Sequence, residues 1–192
     1  IPLRLVGSEM CIRDRNGGSP AFEDEQKILA QYTGWGGLSD AFDPNKSAWS
    51  NEYSQLKAAL SESEYEAARS STLTAFYTPA TVIHPIYRAL ERFGVKGGKI
   101  LEPSMGTGAF LAHGHFGSSD AKFYGVELDG ITGRISKQLY QKANIQVTGY
   151  ENALLPDNYF DCVIGNVPFG NFQVNDCLLY TSPSPRDVEE SR

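Results

Sequence analysis

The stretch that decides the fold spans residues 99–110 and reads Lys-Ile-Leu-Glu-Pro-Ser-Met-Gly-Thr-Gly-Ala-Phe. It begins with a β-rich run that ends on the acid Glu102, and a glycine-rich turn with Gly106 and Gly108 then leads into a helix. Such a turn lets a ligand approach the backbone closely and meet the amides at the start of a helix. The stretch therefore predicts a strand, a turn suited to ligand binding and a helix in succession.

Three more β-rich runs follow this stretch. Segments with helical spacing lie between several of them, notably over residues 131–140. Strands that alternate with helices indicate a parallel sheet covered by helices. We therefore predict an α/β fold with a Rossmann-like parallel sheet, whose strands cover residues 99–102, 123–127, 145–148 and 160–164.

The sequence before residue 99 has a helical pattern. Apolar spacing predicts helices over residues 21–32, 52–60 and 61–69, and the capping box Ser61-Glu62-Ser63-Glu64 opens the third. Thr78 as a hydroxyl cap and Pro79 in the first turn predict the start of a helix that ends near residue 93. We thus expect a small helical segment over residues 16–75 in front of an α/β domain over 76–176. The glycine-rich run 33–38 fits either a ligand cleft or a packing turn.

The composition is that of one ordinary water-soluble domain. The chain has 192 residues, 41% of them hydrophobic and 21% charged, and no apolar run approaches the roughly 20 residues of a membrane helix. These values exclude a disordered chain and a disulfide scaffold. The net charge of −6 gives no general attraction to a phosphate backbone, so any grip on nucleic acid must be local or missing. The three cysteines, at positions 11, 162 and 177, lack metal-ligand spacing and indicate a reducing cytoplasm.

Both ends of the chain are expected to be foreign to the gene. A DNA word that can encode residues 5–15 yields residues 177–187 when it is read on the opposite strand, shifted by one base. The word resembles the adapter of transposon-based sequencing libraries, so we set residues 1–15 and 177–192 aside as non-native tails. The natural part, residues 16–176, keeps the charge of −6, and we expect the gene to continue beyond both cuts.

The turn after Glu102 favours one class of ligand. A dinucleotide fold requires a third glycine at the position of Leu111, and no Gly-Lys-Ser/Thr follows, which excludes a P-loop. Glu102 would repel a pyrophosphate but suits a cationic or hydroxyl-bearing ligand such as S-adenosylmethionine, which has an ammonium and no phosphate. Glu127, 19 residues after Gly108, can accept hydrogen bonds from both ribose hydroxyls. For the turn, the alternatives are a purely structural role or the binding of another nucleotide. For Glu127, the alternative is a solvated acid at the end of a strand.

A second turn, Gly165-Asn166-Val167-Pro168-Phe169-Gly170, directly follows the last β-rich run. The Asn166 amide oxygen and a backbone carbonyl can accept the two hydrogens of a planar exocyclic amine, while an aromatic ring stacks on its base. This arrangement directs the nitrogen lone pair at a methyl donor, and transfer then needs positioning more than acid–base chemistry. The alternative is an ordinary Asn-Pro turn that closes a strand.

The remaining candidate residues favour structural roles. His113 and His115 form a His-x-His pair with no further ligand cluster, which is more typical of loop histidines than of a metal site. Cys162 lies in an apolar run and is interpreted as a buried small hydrophobe. Methylation of the cytosine ring needs a cysteine nucleophile, and the second turn contains none.

Together these motifs resemble the class I S-adenosylmethionine-dependent methyltransferases, and specifically those that methylate the amino group of adenine in DNA. In that family an Asn/Asp-Pro-Pro-Tyr/Phe motif holds the target amine, a glycine turn and an acid bind the cofactor, and an upstream Phe-Tyr-Thr-Pro motif holds its methionine part. The resemblance implies a catalytic turn of Asn166, Val167, Pro168 and Phe169, with Val167 where proline is usual. It implies a cofactor site of Phe76, Tyr77, Thr78, Pro79, Glu102, Pro103, Ser104, Gly106, Thr107, Gly108, Phe110, Glu127, Leu128 and Glu151.

The function implied by this resemblance is methyl transfer to an adenine flipped out of the duplex. Double-stranded DNA is the implied partner, bound by regions after residue 176. The segment with Gln31-Tyr32-Thr33-Gly34-Trp35-Gly36-Gly37 resembles the front of large methylase-helicase proteins of plasmids and phages. Two alternatives stay open: methylation of a protein glutamine or an RNA guanine amine, and a catalytically silent module of a larger helicase protein.

Overall fold

The structure is a computed structural model that describes residues 19–72, 77–114, 116 and 120–167. At its centre lies a sheet of four parallel strands. The strands are β1 Lys99–Glu102, β2 Lys122–Glu127, β3 Asn144–Val147 and β4 Cys162–Val163. Their order in the sheet is β3-β2-β1-β4, and Ile100 pairs with Phe123 on one side and with Cys162 on the other. This order confirms the predicted Rossmann-like α/β fold.

The fourth strand is shorter than the predicted span of residues 160–164. The two aromatic residues before it leave the sheet pairing and pack edge-on against Tyr124 of β2, with ring centroids 5.6 Å away for Tyr159 and 5.2 Å away for Phe160. The hydroxyls of Tyr124 and Tyr159 also share a hydrogen bond of 2.9 Å. Aromatic packing therefore replaces ladder hydrogen bonds at the start of this strand.

Six α-helices accompany the sheet within the described residues. The capping box is confirmed, because the Glu64 N–H donates to the Ser61 hydroxyl at 3.4 Å and the Ser61 N–H donates to a Glu64 carboxylate oxygen at 2.9 Å. No helix in the described ranges has the length and apolar character needed to cross a membrane. The helices are α1 Glu23–Leu29, α2 Ser50–Ala59, α3 Glu62–Ser71, α4 Ala80–Arg92, α5 Ala109–His113 and α6 Gly130–Leu139.

The predicted start of α4 is corrected by the structure. The N-cap residue is Pro79, with an extended backbone at φ −71° and ψ 151°, and no side-chain hydrogen bond caps the helix. Thr78 thus lies one residue before the cap position from which a hydroxyl can reach the free amides of the first turn. Proline occupies the cap itself instead of the first helical position.

One core cluster lies between the sheet and the helices α4 and α5. It contains Ile83 and Tyr87 of α4, Ile100 of β1 and Phe110 of α5. The Tyr87 hydroxyl donates to the Phe110 carbonyl at 3.0 Å. Cys162 packs against this cluster as a partly buried residue, in agreement with its interpretation as a small hydrophobe. This core holds β1, and with it the turn that follows β1, in place.

A second core cluster joins the N-terminal helices to α6. Ile131 and Ile135 of α6 pack in it with buried residues of the earlier segment such as Leu29 and Leu56. The other side of α6 packs on β2 and β3. Helix α6 is therefore covered on two sides, by the sheet and by the helical segment.

A nearly buried ion pair reinforces this contact and gives a first prediction. Arg134 of α6 lies 2.8 Å from the Glu64 carboxylate of α3, and their side chains are only 19% and 10% exposed. Loss of one partner from a nearly buried pair is destabilising, and Glu64→Ala also removes the hydrogen bonds of the capping box, so we expect it to lower the free energy of unfolding by about 3 kcal/mol. Ser61→Ala, which disturbs the cap and leaves the ion pair intact, should cost only about 1 kcal/mol. Urea unfolding followed by circular dichroism measures this change.

The matched control is Glu66→Ala, which breaks the ion pair between Glu66 and Arg69. Both side chains of this pair are about half exposed. We expect this substitution to change stability by less than about 0.5 kcal/mol. Equal losses for the two variants would contradict the role of the Glu64–Arg134 pair.

Candidate ligand-binding site

The second turn singled out by the sequence, of which the structure describes residues 165–167, begins beside the first turn at one edge of the sheet. Strands β1 and β4 are parallel neighbours, so their carboxyl ends meet at the same edge, and the Ile164 N–H donates to the Leu101 carbonyl at 2.9 Å. A Cβ added to Gly165 would lie 3.4 Å from Pro103 Cδ. The strand order reverses between β1 and β4, and ligands of open α/β sheets bind in the crevice at this reversal.

The turn after β1 depends on its two glycines. Gly106 and Gly108 have positive φ angles of 55° and 78°, a region that glycine adopts without strain. A Cβ on Gly106 would lie 2.7 Å from Tyr77 Cε1, and one on Gly108 would lie 3.0 Å from Tyr140 Cζ. The buried Met105 fastens the turn to β2, because its N–H donates to the Val126 carbonyl at 2.9 Å. Two tyrosine rings thus pack closely against the turn, and the backbone hydrogen bond of Met105 fixes the turn to β2.

Glu127 connects the end of β2 to this turn. Its two carboxylate oxygens accept hydrogen bonds of 2.7 Å from the N–H groups of Gly106 and Asp129. Burial raises the pKa of Glu127, and these backbone donors oppose that shift in part. The Leu128 N–H is a further donor to this carboxylate. A carboxylate has about four acceptor positions, so the group can still accept from a ligand.

Glu102, at the end of β1, is a buried carboxyl with an unused oxygen. The residue is 3% exposed, and its Oε2 has no hydrogen-bond partner among the described residues. Burial, together with the nearby Glu127 carboxylate, raises the pKa of Glu102 to about 9. The free protein therefore holds a proton on Glu102 at neutral pH, and a cation beside it would favour the charged form.

The start of α6 adds polar groups that the sequence reading did not single out. Asp129 caps the helix by accepting the Thr132 N–H at 2.7 Å, and its other oxygen, also buried, has no partner within the described ranges. Ser136 donates its hydroxyl to the Gly106 carbonyl at 2.9 Å. An aspartate before a helix is a recognisable cap signal. The Ser136 contact has no local signal, because it joins residues 30 positions apart.

The structure places the other predicted site residues as follows. Pro103, Ser104 and Thr107 are half-buried in the first turn, and Thr78 and Tyr77 are also half-buried. Leu128 is 76% exposed beside Glu127. Asn166 and Val167 are exposed directly after β4, and Pro79 is exposed at the start of α4. Phe76, Pro168 and Phe169 lie outside the described residues.

Two of the predicted cofactor residues have their described contacts with other parts of the chain. Phe110 is 2% exposed and its ring packs in the core with α4, so it anchors α5 instead of lining the site. Glu151 is exposed in a short 3-10 helix, Tyr150–Asn152, and accepts a hydrogen bond from the Asn152 side chain at 3.0 Å. Nothing among the described contacts joins Glu151 to Glu102 or Glu127.

The histidines do not form a metal-binding group in the part of the chain that is described. His113 packs edge-on against His84 with ring centroids 5.6 Å apart, and His115 is outside the described residues. No group of three or more potential ligands was found among the described His, Cys, Asp and Glu residues.

The strand order defines the chain as an α/β protein of the Rossmann-like class. Its sequence is 28% identical over 155 residues to the Defense against restriction protein B of Escherichia phage P1, a match that covers 80% of this chain and 5% of the phage protein. It is 33% identical over 95 residues to the Modification methylase CviBIII of Paramecium bursaria Chlorella virus NC1A, covering 49% of this chain and 25% of that protein. The chain therefore spans only a small part of each relative. No protein-family model matches it.

Solved structures with a similar course of the chain include a protein of Methanococcus maripaludis described as an S-adenosyl-L-methionine-dependent methyltransferase. The two share 21% identity with a TM-score of 0.37, and the match covers 44% of this chain and 43% of the other.

Proposed function

We propose that the chain is the cofactor-binding and catalytic part of an S-adenosylmethionine-dependent methyltransferase that acts on the amino group of adenine in DNA. The observation that supports this most is the position of Gly165, at the start of the second turn, beside Pro103 of the first turn, since methyl transfer needs donor and acceptor side by side. The similarity to a viral modification methylase and to a phage restriction-defence protein supports DNA as the substrate.

The residues of the first turn fit this cofactor. The unpartnered Glu102 oxygen is a suitable acceptor for an ammonium, and Gly106 and Gly108 hold the turn in a conformation that presents backbone groups to a ligand. Glu127 would accept the ribose hydroxyls with its remaining lone pairs. The carboxylates of Glu127 and Asp129 would repel a phosphate-bearing cofactor, whereas S-adenosylmethionine has two positive groups and no phosphate, and its ammonium would favour the charged form of Glu102.

The acceptor side of the proposed reaction belongs to the second turn. When bound, the cofactor supplies a methyl group activated by a sulfonium. The Asn166 side-chain oxygen and the Val167 carbonyl would accept the two amine hydrogens, which orients the nitrogen lone pair without an acid or base. Phe169 would stack on a base flipped from the duplex. We expect regions of the uncut gene product that follow residue 176 to bind the double-stranded DNA. The net charge of −6 gives this chain no general attraction to a phosphate backbone.

Calorimetric titration with S-adenosylmethionine tests the proposed function. We expect Glu127→Ala to weaken binding about 100-fold, because two charge-assisted hydrogen bonds at about 1.5 kcal/mol each are lost. The matched control is Asp157→Ala, which removes an exposed acid from the turn before β4 and should leave the dissociation constant unchanged.

A wild-type chain that does not bind S-adenosylmethionine would contradict the proposal. The same conclusion would follow if a Glu127→Ala variant with a cooperative unfolding transition bound the cofactor as tightly as the wild type.

A further inference from the structure

The glycine loop, defined as residues 33–38, reaches the proposed cofactor site through Tyr77. A Cβ on Gly34 would lie 2.6 Å from Tyr77 Cζ, and a Cβ on Gly106 would lie 2.7 Å from Tyr77 Cε1. The Tyr77 ring thus fills the space between the glycine loop and the turn after β1. The ring fits at this place because Gly34 and Gly106 both lack a side chain.

Thr132 at the start of α6 connects the same parts by hydrogen bonds. Its hydroxyl lies 2.9 Å from the Tyr32 hydroxyl, directly before the glycine loop, and it also hydrogen-bonds Tyr77. Its N–H donates to Asp129 at 2.7 Å, and the residue is 3% exposed. Tyr32 and Tyr77 are therefore held by one buried side chain beside the acids of the site.

Both tyrosines face the carboxylates of the site. Burial raises the pKa of Tyr32 and of Tyr77 above the usual range, and the carboxylates of Glu127 and Asp129 raise both further. The phenols stay neutral hydrogen-bond donors at every pH at which the protein would be assayed. Asp129 keeps one buried oxygen without a partner among the described residues.

We propose that the glycine loop contributes to cofactor binding, because Gly34 and Tyr32 position Tyr77 against Gly106. This inference rests on the proposed function, because it assigns the loop to the same cofactor. Gly34 and Tyr32 are positioning residues that act through Tyr77 and Thr132. The helical segment before residue 76 is then required for cofactor binding and not only for stability.

The loop contains its own matched control. Gly34 and Gly37 both have a φ of 74°, so alanine at either position meets the same backbone strain. A Cβ on Gly34 overlaps the Tyr77 ring, whereas a Cβ on Gly37 meets nothing within 4 Å. A difference between the two alanine variants therefore reports the contact with Tyr77 and not the strain.

The test is calorimetric titration of S-adenosylmethionine into the full chain. We expect Gly34→Ala to weaken binding about tenfold or more and Gly37→Ala to change it less than about twofold. The backbone strain is the same in both variants, and Gly34→Ala should lose more thermal stability because its Cβ overlaps the Tyr77 ring. Tyr32→Phe adds no atoms and removes one hydrogen bond, so the variant should fold normally and bind about fivefold more weakly. If Gly34→Ala does not fold, the affinity of Tyr32→Phe for S-adenosylmethionine tests the inference by itself.

A second readout uses the two tryptophans of the chain. Trp35 lies in the glycine loop with its ring centroid 6.0 Å from that of Tyr32. In a Trp49→Phe background we expect S-adenosylmethionine to change the Trp35 emission, and Tyr32→Phe to shift that titration to higher concentration.

Two results separate the failure of this inference from that of the proposed function. If the wild-type chain binds S-adenosylmethionine but Gly34→Ala and Gly37→Ala bind equally, and Tyr32→Phe binds like the wild type, the loop is only a packing element. If the wild-type chain does not bind at all, the proposed function falls and this inference falls with it.

Discussion

Asn166→Ala is expected to lower methyl transfer to adenine by two to three orders of magnitude while leaving the dissociation constant of S-adenosylmethionine unchanged. Loss of a single preorganised hydrogen-bonding group at a reacting centre typically costs about 100- to 1000-fold in rate. Asn166 is exposed after β4, so its truncation removes no core packing. Single-turnover transfer of a tritiated methyl group to double-stranded DNA measures the rate in the whole protein, and calorimetry measures the binding.

The control for this prediction is Asn51→Ala, which truncates an exposed asparagine on α2, in the segment before the sheet. Nucleoside analysis of the product identifies the acceptor. Transfer retained within threefold in Asn166→Ala would refute the role given to this residue. Label found in protein or in RNA guanine, and not in adenine, would leave a methyltransferase but overturn its substrate.

Glu102→Gln is expected to stabilise the free protein by about 5 kcal/mol at pH 8 and by almost nothing at pH 4. The pKa of Glu102 is raised from 4.5 to about 9, so between these values the folded chain holds a proton that the unfolded chain has released. Stability then falls with rising pH by about 1.4 kcal/mol per unit, and it is fully present only below the lower value. Glutamine cannot ionise, which removes this slope. Urea unfolding at several pH values measures it.

The matched control for the stability profile is Asp157→Asn, which neutralises an exposed acid and should leave the profile parallel to that of the wild type. Parallel profiles for Glu102→Gln and the wild type would contradict the assignment. We expect the stabilised variant to bind S-adenosylmethionine more weakly, because the charged acceptor for its ammonium is lost. Such a trade of stability for function is common at binding sites.

Local patterns predicted the parts of the fold that depend on neighbouring residues. The β1 run, the turn with Gly106 and Gly108 and the capping box at Ser61 are each encoded within a few positions, and all three occur in the structure. The start of α4 was wrong by one position, because a Thr-Pro pair can place either residue at the cap.

The remaining parts depend on residues that lie far apart in the sequence. Phe110 follows the turn so closely that it was assigned to the ligand, but the packing of α4 draws its ring into the core. The approach of Gly34 to Tyr77 and the bond from Ser136 to Gly106 join positions 30 or more apart, and no periodicity encodes them. The raised pKa of Glu102 results from burial, which a sequence pattern does not measure.

The position of β4 in the sheet has a consequence for how the molecule forms during synthesis. Strand β1 hydrogen-bonds with β2, which follows it closely in the chain. It can pair with β4 only after the chain has returned across the sheet. The hydrogen bond from the Lys99 N–H to Asp161, the residue directly before β4, joins positions 62 apart. Distant pairings close slowly because a long loop must first be ordered. A nascent chain on the ribosome should therefore complete its donor half first and gain its acceptor half only when the last strand emerges.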